Sequence, residues 1–376
     1  MKLKELNSVL QDYYSKVIGA VGKEGIPKNI KITVADGKVS FQCTDVEISL
    51  TITETIHDNA IDSCEDGIVC IDGKTFGDIL KKLPKENYVT IKSNDNDKVT
   101  ISSGKFRNSI KSVDSSLYPA IELSQNQPYN TAVVNAKKLS VLLDKQKFCI
   151  ASDSYRIFLR GAFFNFNGKQ MTLSTADGHL LSNSTIPCET ANEFSFILPK
   201  KSVDNLVQLL NNTNSEDVTI NVAQNGIRVI QDNIEFLSVL IDANYPDVSA
   251  LFNFTRDKSI TVNCKEFTDV IKRALITTNN LNKAIQLKSS DETLTISSRN
   301  TSGEQSEETI SVIPNGKDFD IAFNGEYLIN IISKIDTEDC ELIGGKSNNV
   351  IVKPSNASED TNFTDNINFV ISRVVV

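Results

Sequence analysis

Phe76, Ile79, Leu80 and Leu83 place apolar side chains at the i, i+3, i+4, i+7 spacing of one helix face. The same stripe returns as Val203, Leu206, Val207, Leu210 and again as Leu328, Ile331, Ile332, Ile335. The interval is about 125 residues each time, so the 376-residue chain reads as three copies of one unit. A second set of stripes lies upstream in each copy: Leu6, Val9, Leu10, Tyr13; Leu139, Leu142, Leu143; and Phe267, Val270, Ile271, Ala274. Six helices are therefore predicted, two per copy.

After each helix the apolar period drops to two, as in Ile30, Ile32, Val34 followed by Val39, Phe41, Cys43, or Val89, Ile91 followed by Val99, Ile101. Asp36-Gly37, Asn167-Gly168 and Asn225-Gly226 sit between such runs and favour the positive φ of tight hairpins. Polar stretches at Ser124-Gln-Asn-Gln-Pro128 and Asn253-Phe-Thr-Arg-Asp257 fall between copies. The expectation is an α+β chain of three repeated domains, 1–125, 126–254 and 255–376, each with two helices packed on antiparallel sheets. Helices striped on one side only bury that side on a sheet and leave the other free.

Composition narrows what the free faces do. No apolar run approaches the roughly 20 residues of a membrane span, and the start MKLKELNSVL lacks a signal-peptide core, so a cytoplasmic protein without a membrane partner is expected. The seven cysteines are dispersed without a CxxC pair, which reads as reduced thiols rather than a disulfide framework or zinc site. With His57 and His179 the only histidines, acid–base and metal chemistry have little material, and neither enzyme activity, metal nor cofactor is expected.

The chain carries a net charge of −9, which argues against a nucleic-acid partner, yet its helices depart from that balance. Segments 74–85 and 136–147 each hold four lysines against one aspartate. An acidic protein that gathers cations on equivalent helices suits a polyanion on one side only. Solvated helix faces account for the same charges, so charge alone does not decide.

Local motifs then resemble the bacterial sliding clamp family, the β subunit of the replicative DNA polymerase. Thr175-Ala-Asp-Gly-His-Leu-Leu-Ser182 is similar to the family's TDGH stretch, with Tyr155-Arg-Ile-Phe-Leu-Arg-Gly161 before it and Ile197-Leu-Pro-Lys-Lys201 after it. Tyr245-Pro-Asp247, Phe323-Asn-Gly-Glu-Tyr327 and the terminal Phe369-Val-Ile-Ser-Arg-Val-Val-Val376 match further landmarks in order through the second and third copies, and with the threefold repeat the resemblance is taken to span all three.

The resemblance implies a head-to-tail dimeric ring with twelve helices lining a hole. Twelve axes about 10 Å apart enclose roughly 28 Å clear of side chains. That admits B-DNA, about 20 Å wide, whereas six helices would not.

By the same resemblance, Lys23, Lys74, Lys81, Arg156, Lys200 and Lys201 lie near double-stranded DNA, touched without regard to sequence. A groove formed by Leu159, Gly178, His179, Leu181, Pro246, Leu251, Asn324, Tyr327, Val370 and Val374 receives peptides of the replicative polymerase, the clamp loader, and repair and translesion polymerases. Phe106, Asn108 and Ile110, on the alternating strand Lys105-Phe-Arg-Asn-Ser-Ile-Lys111, meet Leu275, Ile276 and Glu304 of a second copy, with Glu307 and Glu308 facing its cations. Lys105 and Arg107 also fit a simpler role, guarding an open edge.

The chain departs from the family where Leu180 replaces a usual Arg, Ala250 replaces a common Arg, and Ser372-Arg-Val-Val-Val376 replaces a Met-Pro-Met-Arg-Leu ending. These changes are expected to alter the preferred peptide. Two other classes remain open: a scaffold that never meets DNA, and an enzyme using Asp177 and His179 as an acid–base pair. Gly178 between them favours a turn instead.

Overall fold

The computed structural model describes residues 1–56, 64–94, 97–124, 129–213, 215–279, 281–345, 348–355 and 366–374. His57, residues 125–128 of the first polar stretch, and Val375 and Val376 lie outside the described residues. Among the described residues the six longer helices are α1 (Asn7–Val17), α2 (Gly73–Lys82), α3 (Ala136–Gln146), α4 (Lys200–Asn211), α5 (Cys264–Leu275) and α6 (Gly325–Ile332). Two compact units result. The first comprises Met1–Lys137, Glu189–Ala191 and Asp204–Leu240, and the second Lys138–Cys188, Asn192–Val203 and Ile241–Val376.

The predicted stripes are buried. Phe76, Leu80, Leu139, Leu142, Val203, Leu206, Phe267, Ile271, Leu328 and Ile331 are all fully covered. α1 departs at its start: Leu6 precedes the helix, and the buried face is Asn7, Leu10, Tyr13, Val17, with Asn7 in place of Leu6. The reason is polar. The Asn7 amide donates to the carbonyls of Leu80 (2.9 Å) and Leu83 (2.9 Å), and the Gln11 amide also reaches Leu80 (2.7 Å). A helix end leaves its last carbonyls without partners, so α1 closes the end of α2 with side chains that an apolar pattern does not reveal. Phe76 stacks on Phe41 at 6.3 Å between ring centres, and Tyr13 meets Phe41 at 5.6 Å, which joins both helices to the sheet.

α2 begins at Asp72, whose carboxylate accepts the Thr75 N–H at 2.8 Å and lies 3.5 Å from the Lys28 ammonium. Partial burial pushes this carboxyl up, but the hydrogen bonds from Thr75 and the charge of Lys28 outweigh it and hold the group below its ordinary value. Its stabilising contribution is therefore complete above the unfolded carboxyl range and disappears as pH falls through the lower folded value. Asp72→Ala is expected to cost about 1 kcal/mol at neutral pH, with the difference from wild type vanishing in acid, as read by urea unfolding along a pH series.

In the first unit a 13-stranded sheet runs from Lys2–Leu6 to Glu189–Thr190. Its middle joins the first and second copies, where Ile48–Thr55 pairs antiparallel with Ile234–Val239 and Leu50 faces Phe236. The second unit holds a nine-stranded sheet in which Leu180–Pro187 pairs with Asn368–Ser372, and a separate four-stranded sheet. Edge-to-edge pairing between copies removes edges that would otherwise invite aggregation. Gln146 anchors the end of α3 within the second unit: its amide donates to Ser184 Oγ (2.5 Å) and its side-chain oxygen accepts from Ser182 Oγ (3.0 Å).

Two of the glycine turns differ in kind. Asp36 and Gly37 both take positive φ (50° and 69°), the conformation of a two-residue hairpin. Gly226, by contrast, lies inside the strand Gly226–Gln231 and is required by packing, since a Cβ there would sit 2.5 Å from Leu123 and 2.6 Å from the Ser238 carbonyl. Asn225 grips the same segment, accepting from the Ser124 N–H (2.8 Å) and donating to the Glu122 carbonyl (2.9 Å). The pair sits at the tight connection between two antiparallel strands, where the Ala223 N–H donates to the Gly226 carbonyl (2.8 Å), but neither residue takes positive φ, and Asn225 also seats the connection after the first copy.

Candidate partner groove, cation faces and sheet edges

The groove residues all belong to the second unit. Leu181, Val370, Ile351 and Ile343 are successive cross-strand partners, so they form one apolar row over four strands. Leu159, Ala151 and Ala176 complete this cluster, and Phe158, Val248, Phe252 and Phe254 pack against it. Leu180 is paired with Ile371 on the opposite face, where both are buried. Alternation along the strand turns Leu180 away from the row, so the leucine in place of a family arginine serves the core on the helix side.

Asp177 and His179 form a turn. The Asp177 carboxylate accepts the N–H groups of His179 and Leu180, each at 2.7 Å, and Gly178 takes φ of 101°. A carboxylate holding two backbone donors is a positioning group. The exposed His179 ring stacks on Tyr327, 6.0 Å between centres and 28° from parallel. Tyr327 is placed by Asn324, whose side-chain oxygen caps α6 by accepting the N–H groups of Glu326 (2.9 Å) and Tyr327 (3.2 Å). Asn324 therefore contributes chiefly through this cap. Burial, then Asp177 and Glu326, raise the Tyr327 phenol, which stays protonated and available as a donor.

The other wall follows Tyr245, whose ring lies 4.5 Å from Phe163 and 2° from parallel. Pro246 and Leu251 stay exposed beyond it, with Asp247 accepting the Ser249 N–H at 2.8 Å. The Ser372 N–H donates to the His179 carbonyl (3.0 Å) and that of Val374 to Ala322 (2.8 Å), which lays the last described residues beside the stacked pair. The result is an apolar floor with an aromatic clamp at its rim, the form of a site for hydrophobic peptide side chains. Sequence reasoning missed Ile343, Ile351, Phe252 and Phe254, because only the register of non-adjacent strands brings them to Leu181.

The candidate cations divide. Lys23, Lys74, Lys81, Arg156 and Lys201 are exposed, and the Arg156 guanidinium lies 5.4 Å from the centre of the exposed Tyr155 ring. Lys200 is half-buried and donates to the Ile150 carbonyl (2.9 Å) and Ser152 Oγ (2.8 Å), which fixes the loop carrying Arg156. Lys145 is bound to Asp336 and Lys147 to Asp144. The positive helix faces thus present fewer free charges than a count along the sequence gives.

Each unit has an open sheet edge. In the first, Phe106–Val113 pairs along Lys98–Ser103, but on its other side, among the described residues, only Ser112 and Val113 find partners. Phe106, Asn108 and Ile110 share the face of fully buried Val99 and Ile101, yet Phe106 is 37% exposed and the other two are half-buried. In the second, Gln305–Ser311 is the last strand of its sheet. Ile276, just past the end of α5, is 79% exposed, and Leu275 is half-buried. Arg273 holds Glu308 with two hydrogen bonds (2.8 and 2.6 Å), and Glu304 accepts from the Asn300 amide (2.5 Å), so Glu307 is the carboxylate of the three without a described partner in the chain.

Comparison with known proteins follows the same threefold division. The profiles of the DNA polymerase III beta subunit match in tandem: the N-terminal domain over residues 6–122, the central domain over 133–247 and the C-terminal domain over 251–365. The beta sliding clamp of Haemophilus influenzae is 28% identical over 313 residues, 82% of each chain, and that of Pseudomonas aeruginosa 26% identical over 322 residues, 85% of this chain and 86% of the relative. A crystal structure of the Pseudomonas aeruginosa DnaN sliding clamp bound to griselimycin superposes over the whole of both chains with a TM-score of 0.91 at 24% identity. The beta subunit of Thermotoga maritima gives 0.89 at 20% identity, covering 100% of this chain and 99% of that one. With three family domains in order along most of its length, the chain belongs to the DNA polymerase III beta subunit family.

Proposed function

We propose that two copies of this chain close head to tail into a ring around duplex DNA, each contributing domains 1–125, 126–254 and 255–376. The function is that of a DNA sliding clamp, a processivity subunit rather than an enzyme. The observation that carries the ring is the pair of open edges. One, flanked by Lys105, Arg107 and Lys111, exposes Phe106 and Ile110; the other exposes Ile276 beside Glu304 and Glu307. Two edges of opposite charge on one chain favour a heterologous contact, and a heterologous contact that closes makes a ring.

Lys23, Lys74, Lys81, Arg156 and Lys201 then supply diffuse phosphate attraction, which holds DNA without reading bases and leaves the ring free to slide. Lys200 acts by holding the Arg156 loop. The groove around Leu181, Val370 and Tyr327 tethers the replicative polymerase and takes, in turn, the clamp loader and repair and translesion polymerases. No described helix is long and apolar enough to cross a membrane, and the ring works in the cytoplasm.

The test is topological. Loaded onto nicked circular DNA by its clamp loader, the protein is expected to survive a high-salt wash and to leave when the circle is cut. Equal retention on circular and linear DNA, lost in salt, would mean ordinary electrostatic binding and overturn the ring.

A further inference from the structure

The segment between α3 and the strand Gly161–Phe166 displays a side chain that phosphate attraction does not use. Tyr155 is 85% exposed, more than any other aromatic residue among those described, and Ile157 beside it is 47% exposed. The Arg156 guanidinium lies 5.4 Å from the centre of the Tyr155 ring. An aromatic ring left in water with a cation against it contributes nothing to a core, and that combination marks a contact surface.

The loop that carries Tyr155 is braced from both sides. Arg160 donates through Nε to the Ser154 carbonyl (2.6 Å) and through Nη2 to the Asp153 carboxylate (3.3 Å). Ser154 Oγ accepts the Arg156 N–H at 3.2 Å. Lys200 holds the near end at Ile150 and Ser152, and the Ala151 N–H donates to the Leu159 carbonyl (3.0 Å) across the base of the loop. Just beyond the tip the chain turns inward, where Phe158 meets Tyr245 at 5.8 Å between ring centres and Leu159 is buried. A side chain presented on a braced loop has less freedom left to lose, so a ligand that stacks on it binds at a smaller cost in order.

We propose that Tyr155 is a stacking platform for an unpaired DNA base, so that the chain distinguishes single-stranded DNA from the duplex it encircles. The proposal rests on the reading that Arg156 lies near DNA. Inside a duplex each base is covered above and below by its neighbours, and an outside contact meets phosphate and sugar. A single strand offers the faces of its bases, and an exposed aromatic side chain next to arginine has the chemistry to take one without regard to sequence. Arg156 and the neighbouring exposed Lys201 supply the attraction for the adjoining phosphates. The strand that fits is the unpaired one next to a primer end or within a gap.

The experiment uses the full-length protein and a short end-labelled oligothymidine carrying one central 2-aminopurine, with a blunt duplex of the same length for comparison. Anisotropy reads affinity, and 2-aminopurine emission reads stacking. Wild type is expected to bind the single strand and change the emission. Tyr155→Ala is expected to bind it about 10-fold more weakly and to lose the emission change. Its salt dependence is expected to match wild type, because no cation has been removed. Tyr155→Phe is expected to keep both signals, and duplex affinity is expected to be the same in all three proteins. The proposal is overturned if wild type fails to bind the single strand, if Tyr155→Ala binds it as wild type does, or if the loss is equal on the duplex. It is also overturned if Tyr327→Ala loses the strand instead, which would place the bases in the groove. The oligonucleotide is bound without loading, so retention on circular DNA tests the ring separately.

Discussion

Ile110→Asp is expected to yield a folded monomer that no longer stays on circular DNA. Ile110 lies opposite Val99, which is fully buried, but the outer side of its own strand is open over most of its length, so a second copy is needed to cover it. In the monomer the aspartate reaches water at the open edge and costs little. In the ring it would place an unpaired carboxylate among Phe106, Leu275 and Ile276, where desolvation opposes association directly. Loss of about 4 kcal/mol, on the order of a thousandfold in the dimer constant, follows from removing a central apolar anchor and burying charge. Sedimentation at micromolar concentration reads the mass, and unchanged thermal unfolding of the isolated chain separates assembly from folding. A dimer of undiminished affinity would remove this edge from the interface. Reversal at Glu307, by contrast, is expected to change affinity by less than about 1 kcal/mol, since rim charges orient more than they bind.

The second large effect lies in the groove. Tyr327→Ala removes the ring against which His179 stacks and opens the rim above the Leu181 and Val370 row, while the α6 cap at Asn324 remains. Peptide affinity is expected to fall about 10- to 100-fold, the range of a buried aromatic anchor. Tyr327→Phe keeps the ring and is expected to stay near wild type, so the pair separates packing from the hydroxyl. Fluorescence anisotropy with a labelled peptide from the cognate polymerase reads both, and wild-type affinity in the alanine variant would place the peptide elsewhere. The dimer is expected to survive in both variants, as read by sedimentation, because the sheet edges and the groove use different residues.

How much of this was legible beforehand depended on the range of the interactions involved. The helical stripes were visible because each is a local periodicity, and Phe76, Leu206, Phe267 and Leu328 are buried as that periodicity requires. The start of α1 moved from Leu6 to Asn7 because Asn7, a polar residue, takes a core position to satisfy the carbonyls of α2, more than seventy residues away. The Asn225-Gly226 pair marked a hairpin that the structure contains, but without the positive φ expected of it, and its glycine is also required by Leu123. In the site, the motif around Gly178 and His179 was readable as a turn, but the use of Asn324 as a cap, of Lys200 as a loop anchor and of Glu308 as the partner of Arg273 was not.

By itself the sequence determined the threefold repeat, the six helix faces, the alternation of the strands and the scarcity of catalytic side chains, because each follows from residue type and spacing along the chain. Only the tertiary structure decided which strands become neighbours, and with them the row from Leu181 to Ile343 and the two open edges. Strand pairing has a period of two and no local marker of its partner, so register is set by burial and hydrogen bonding across the whole sheet.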